Sequence, residues 1–192
     1  HHAAVSYAGK MWILGGASSD TTEMNDVFYS SDGVQWTAVV QKSGFTARRG
    51  HSVVVYDGKM WLFGGYRVSN MFYSDVLSSV DGANWVVATS KAEWTPRASH
   101  SGFSFNNKLW LIGGNNDQKA FSDVWSSTDG NLWQLQHSNA HWGERYGSAA
   151  FVFSGRMWVI GGSSDPCLPT SDGMSACRGT VLPVDCYGAG SQ

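Results

Sequence analysis

The sequence predicts an all-β fold, an incomplete arc of a β-propeller made of four-stranded antiparallel blades, three complete and half of a fourth. One observation is the repeat: Trp12, Trp61, Trp110 and Trp158 stand 49, 49 and 48 residues apart. Each is followed at a fixed distance by a glycine pair, Gly15-Gly16, Gly64-Gly65, Gly113-Gly114 and Gly161-Gly162. Another is that each repeat reads as short apolar runs joined by turn residues, with no helical period. The last is that the runs do not alternate: Met60, Trp61, Leu62 and Phe63 are consecutive, so that strand is covered on both faces. A sheet covered on both faces by copies of itself is a blade stacked between neighbours. A sandwich would bury one face of each sheet and alternate with period two.

The second repeat shows the elements in order. His51 to Tyr56 is a β-branched run, Asp57-Gly58 turns the chain, and Lys59 to Gly64 runs back. Asp-Gly between apolar runs is a strong hairpin signal, because a type I′ turn needs positive φ at both central residues. After a longer connection, Asp75 to Ser79 forms a third strand, Asp81-Gly82 a second turn, and Asn84 to Thr89 a fourth strand. Asp26-Val27, Asp32-Gly33 and Trp36 repeat these markers in the first blade, and Asp123-Val124, Asp129-Gly130 and Trp133 in the third. The blades are residues 1–49, 50–98 and 99–146, with 147–162 a partial fourth; 163–192 is a Cys-containing irregular tail or the start of a next module. In that tail Asp172-Gly173 comes too early for the turn, with Ala176 where the Trp would stand.

Composition narrows the function. A net charge of -2 and the absence of any Lys/Arg block give no footing for nucleic acid. No apolar run approaches the ~20 residues that span a bilayer as a helix. The chain begins on a repeat element, without Met or signal peptide, and is read as a piece of a longer protein. An open arc would leave apolar faces on its end blades, so further blades are expected from the same chain or another.

The ordered set Arg48, His51, Gly64-Gly65, Asp75-Val76 and Trp85 resembles the kelch-repeat family. Arg97, His100, Gly113-Gly114, Asp123-Val124 and Trp133 repeat it, and the resemblance runs from about His2 to Gly162. One departure is Ser-x-Asp-Gly-x-x-Trp, as in Ser30 to Trp36, where kelch repeats often carry Tyr before the last strand. It looks like the Asp-box of sialidases shortened by one residue and is read as a kelch turn variant. The family also includes copper-radical galactose oxidases, which would require a Tyr–Cys crosslink and His ligands in the propeller. All three cysteines lie in the tail, so that constellation is absent. No catalytic residue, metal site or cofactor is assigned.

A residue repeated in every blade is explained by the blade. The repeated tryptophans are read as core, and His2, His51 and His100 as hydrogen-bonding residues at strand starts. Arg48, Arg97 and Arg145 each follow an aromatic (Phe45, Trp94, Trp142) by three residues. They are read as paired to a carboxylate, with the aromatic covering the joint between blades. His137, His141 and Glu144 have a zinc-like spacing on a helix, but here they fall between strands.

What varies is the long connections: Ala17 to Asn25, Tyr66 to Ser74 and Asn115 to Ser122, all on the rim opposite the tight turns. Variable loops on a rigid scaffold carry recognition. Tyr66, Arg67, Met71, Phe72 and Tyr73, with Asn116 and Lys119, are the candidate contacts for a protein or glycan. The expected function is a non-catalytic binding or scaffolding propeller. The alternatives are a structural subunit of an extracellular filament or surface assembly, and a carbohydrate-active enzyme whose site lies in missing sequence. Cys167, Cys177 and Cys186 are disulfide candidates and point to an extracellular or cell-surface protein, the alternative being a cytoplasmic adaptor with free thiols. Intact-mass analysis tests this: reductant should add the mass of two hydrogens, and an unchanged mass would mean that the thiols are free.

Overall fold

A computed structural model describes residues 1–19, 21–40, 44–68 and 71–164. Cys167, Cys177 and Cys186 lie outside the described residues. The first blade is β1 (Ala3–Tyr7), β2 (Lys10–Ser19), β3 (Thr22–Ser30) and β4 (Thr37–Val40), hydrogen-bonded in that order. The second is β5 (Ser52–Tyr56), β6 (Lys59–Phe63), β9 (Val76–Ser79) and β10 (Val86–Thr89). Between β6 and β9 a small separate pair intervenes, β7 (Tyr66–Arg67) with β8 (Met71–Phe72). The third blade is β11 (Ser101–Phe105), β12 (Lys108–Ile112), β13 (Val124–Ser127) and β14 (Gln134–His137). Among the described residues the fourth has β15 (Ala149–Phe153) and β16 (Arg156–Ile160). No described helix is long and apolar enough to cross a membrane.

The first hairpin of each blade turns as its residues require. Ala8-Gly9, Asp57-Gly58, Asn106-Asn107 and Ser154-Gly155 all have positive φ at both positions, the type I′ geometry that suits strand twist. The second turn, at Asp81-Gly82, is wider than the first, since β9 ends at Ser79 and β10 starts at Val86, two residues later than the expected Asn84. Side chains hold this wider turn. The Ser79 hydroxyl accepts from Gly82 N (2.9 Å), and Asp81 Oδ1 accepts from Ala83 N (2.9 Å) and Asn84 N (2.8 Å). Ser30/Asp32 and Ser127/Asp129 repeat the arrangement. The donors from Asn84 hold the Asp81 carboxyl down at about 2.

Successive residues of the second strand face opposite neighbours, which explains the unbroken apolar run. Met60 and Leu62 pack with Trp12 and Leu14 of the first blade, while Trp61 and Phe63 pack with Leu109 and Leu111 of the third. Trp12 and Trp61 each lie over the turn glycine of the following blade. A Cβ on Gly82 would overlap Trp12, and one on Gly130 would overlap Trp61. Across the same joints, Tyr7 OH donates to Gly58 O (2.7 Å) and Tyr56 OH to Asn107 O (2.8 Å).

The inner edge is tied by backbone. Gly50 N donates to His1 O (3.3 Å), Ser99 N to Gly50 O (2.8 Å) and Gly147 N to Ser99 O (2.7 Å), one link per joint. The arginines are paired as expected in two blades. Arg48 grips Asp75 with both terminal nitrogens (2.6 and 2.8 Å) and donates to Gly64 O (2.9 Å). Arg97 does the same with Asp123 and Gly113 O. Both guanidiniums are fully buried, and Phe45 and Trp94 close the joints beside them.

His51 and His100 are buried at strand starts, with the backbone of Leu14 and of Phe63 respectively as the hydrogen-bonding group beside each ring. His100 also stacks on Phe63 (5.5 Å between centroids, 23° between planes). Burial, reinforced by Arg48 and Arg97 respectively, pushes both imidazoles down to about 3. The folded state therefore keeps them neutral, whereas the unfolded chain protonates them near ~6.5. Their contribution to stability is complete above that value and is lost as pH falls toward 3. The melting temperature should already drop between pH 7 and 5, above the range where carboxylates titrate, and the double change His51→Gln/His100→Gln should flatten that slope. A wild-type melting temperature constant over this interval would contradict the assignment.

Candidate recognition rim

The glycine pairs build the rim. At Gly64-Gly65 both φ values are positive, and a Cβ on Gly65 would stand 2.9 Å from Arg49 O. That close approach lays the chain leaving the second strand beside the connector entering the blade. The result is a two-bond rung: Tyr66 N to Arg49 O (2.9 Å) and Arg49 N to Tyr66 O (3.0 Å). Ala98 with Asn115 and Tyr146 with Ser163 form the same rung in the next two blades. The backbone is common and the side chains are not.

The rung of the second blade carries a charged and aromatic group, of which the sequence singled out Tyr66 and Phe72 but not Glu23 or Arg49. Glu23, at the start of β3, reaches Arg49 (3.3 Å), with the carboxylate 2% and the arginine 12% exposed. The Arg49 guanidinium lies 4.8 Å from the Tyr66 ring centre, and Tyr66 stacks on Phe72 (5.4 Å, 23°). The only hint in sequence was that Arg49 becomes Ala98 and Tyr146 at equivalent positions.

The loops are more regular than expected. Ala17 to Asn25 largely continues the β2–β3 hairpin, with Gly16 opposite Met24 and Ala17 opposite Glu23. The second-blade connection is the β7–β8 pair, with Tyr66 opposite Phe72 and Arg67 opposite Met71. On it Arg67 and Met71 are exposed, Met71 by 53%. Tyr73 serves the framework: its ring lies 4.2 Å from the Arg48 guanidinium, as Phe121 lies 3.8 Å from that of Arg97.

In the third blade, Asn116 is used in building its own loop. Its Oδ1 accepts from Gln118 N and Lys119 N, both at 3.0 Å. Lys119 is exposed beside a polar depression of about 270 Å³ lined by Ser122, Asn139 and Glu144 among others. His137 and His141 have ring centres 6.2 Å apart. Among the described residues no three His, Cys, Asp or Glu converge as metal ligands.

The KLHDC2/KLHL20/DRC7 Kelch-repeats domain model matches residues 1–174. A solved structure described as that of YjhT superposes with a TM-score of 0.71 at 16% identity, covering 85% of this chain and 59% of that one. The chain thus spans less than two thirds of that neighbour, and the likeness concerns the fold. No curated protein matches.

Framework and rim residues should separate by stability. Asp75→Ala leaves the buried Arg48 without its carboxylate and should cost about 3–5 kcal/mol. Met71→Ala, on the exposed face of β8, should stay within about 0.5 kcal/mol. Denaturant melts of the two variants check this, and equal losses would contradict the division.

Proposed function

The chain belongs to the kelch-repeat family, and from that premise we propose a non-catalytic propeller that binds a partner protein through its long-loop rim. The observation that supports this reading is the rung: one backbone arrangement carried around the arc with different side chains in each blade. Arg67 and Met71 form the outward patch, standing opposite each other on a strand pair backed by the Tyr66–Phe72 stack. Lys119 extends the patch onto the third blade. An exposed thioether beside a guanidinium suits a protein surface, combining apolar area with a hydrogen-bonding charge. Glycan binding is the competing occupant of the same rim. Placement outside the cell rests on the three clustered cysteines alone.

A photo-crosslinking amino acid at position 71 should give discrete protein adducts in the native source. The same group at Asp57, on the tight-turn rim, should give none. Arg67→Ala should weaken capture of the crosslinked partner tenfold or more without lowering the melting temperature. Equal crosslinking from both rims, or capture indifferent to Arg67, would refute the proposal.

A further inference from the structure

We propose that the polar depression on the rim of the third blade binds a compact zwitterion of the α-amino acid class, its carboxylate held by Lys119 and Asn139 and its ammonium by Glu144. Occupancy of this site does not depend on the partner protein above. The depression holds about 270 Å³, just short of the ~300 Å³ at which pockets for drug-sized molecules begin, so its occupant is small. Three segments border it. Thr95 lies on the connector entering the blade, Lys119 and Ser122 on the connection between β12 and β13, and Ser138, Asn139 and Glu144 on the connector that leaves.

In this lining the residues that carry the fold recur between blades, and those that give the depression its charge do not. Counted from Asp75 and Asp123, Ser122 matches Ser74, Ser138 matches Ser90 and Ala140 matches Ala92. The structure keeps that register, since Ala92 N donates to Ser74 O (2.9 Å) and Ala140 N to Ser122 O (3.0 Å). Thr95 likewise stands where Thr46 stands one blade earlier. Four positions change: Lys119 replaces Met71, Asn139 replaces Lys91, Glu144 replaces Pro96, and Ala120 replaces Phe72. The first three put a cation, an amide and a carboxylate around one space. The last removes the ring that in the second blade stacks on Tyr66.

These groups are open to a ligand. Lys119 and Glu144 are both exposed, and among the described residues no ion pair uses either. Two opposite charges thus border a single depression without neutralising each other. Asp123, the other acid lining it, is taken by Arg97 and by Trp125 Nε1 (2.8 Å), so Glu144 is the carboxylate left for a cation. The Ser122 hydroxyl donates to Asn139 Oδ1 (2.9 Å), which fixes the amide with its nitrogen as the open donor. Asn116 Oδ1 accepts from Lys119 N (3.0 Å) and sets where the lysine stem begins. A neutral sugar would leave both charges without a counter-charge, and a simple anion or cation would leave one. A zwitterion meets both, with charge-assisted hydrogen bonds, the strong kind, at each end.

NMR titration of the 192-residue chain with the common L-α-amino acids, one at a time, tests this. At least one should shift the Asn139 side-chain amide and the backbone amides of Lys119–Ser122 saturably. Its N-acetyl form and its methyl ester, each lacking one charge, should bind at least tenfold more weakly. Lys119→Met, the side chain that the second blade carries there, should abolish the preference over the ester. Glu144→Gln should abolish the preference over the N-acetyl form. Both positions are exposed, so neither change should lower the melting temperature. No saturable shift with any amino acid overturns the proposal, as does equal binding of the three forms. Glucose that shifts the same amides equally well would make the depression a neutral polyol site, and shifts that survive both substitutions would place binding elsewhere; either result equally overturns it.

Discussion

The clasp made by Arg48 and repeated by Arg97 is the contact on which the arc depends. Each guanidinium arises on the connector from the preceding blade, donates once back to that connector at Thr46 O or Thr95 O, and reaches two places in its own blade. One is the carbonyl that ends the second strand; the other is the aspartate that begins the third. Entry, reversal and re-entry of the chain are fixed by a single planar group. A lysine could satisfy one such acceptor well, but a guanidinium reaches several at fixed angles. Burying the charge is costly, and the bidentate carboxylate offsets that cost. The rungs, the backbone links along the inner edge and the aromatic lids at the joints are all placed by this anchor.

Residues that act within their own repeat were legible in the sequence. The tryptophans, the glycine pairs and the Arg–aromatic spacing report local geometry that recurs every blade, so repetition exposed them. Glu23 and Arg49 were not legible because their association with Tyr66 spans two blades and occurs once among the described residues. The same holds for the Tyr7 and Tyr56 hydroxyls, whose acceptors at Gly58 and Asn107 lie 51 residues away. His51 and His100 show a different limit. Their recurrence marked them as framework, but how deeply each ring is buried follows from packing rather than from spacing.

The rim divides labour between backbone and side chains. Where the chain must approach another strand closely, glycine is required, and the pairs at 15–16, 64–65 and 113–114 provide this without variation. Beyond them the chain is free to vary, and the first two blades use that freedom to extend hairpins and not to form irregular loops. Strand pairing holds Arg67 and Met71 at set positions, so a ligand gains contacts there without first ordering a loop.

The phenol hydroxyls at the joints have a mechanical consequence. Tyr7 and Tyr56 tie the first three blades together across the tight-turn rim, while the corresponding residues of the next two blades are Phe105 and Phe153, which have no hydroxyl to donate. The joint between the third and fourth blades is held without a phenol, by Gly147 N to Ser99 O (2.7 Å) and Ser101 Oγ to Ser148 O (2.6 Å). Met71 and Lys119 therefore both stand on the part of the arc that the two phenols span, and no contact to the fourth blade is needed to set the distance between them.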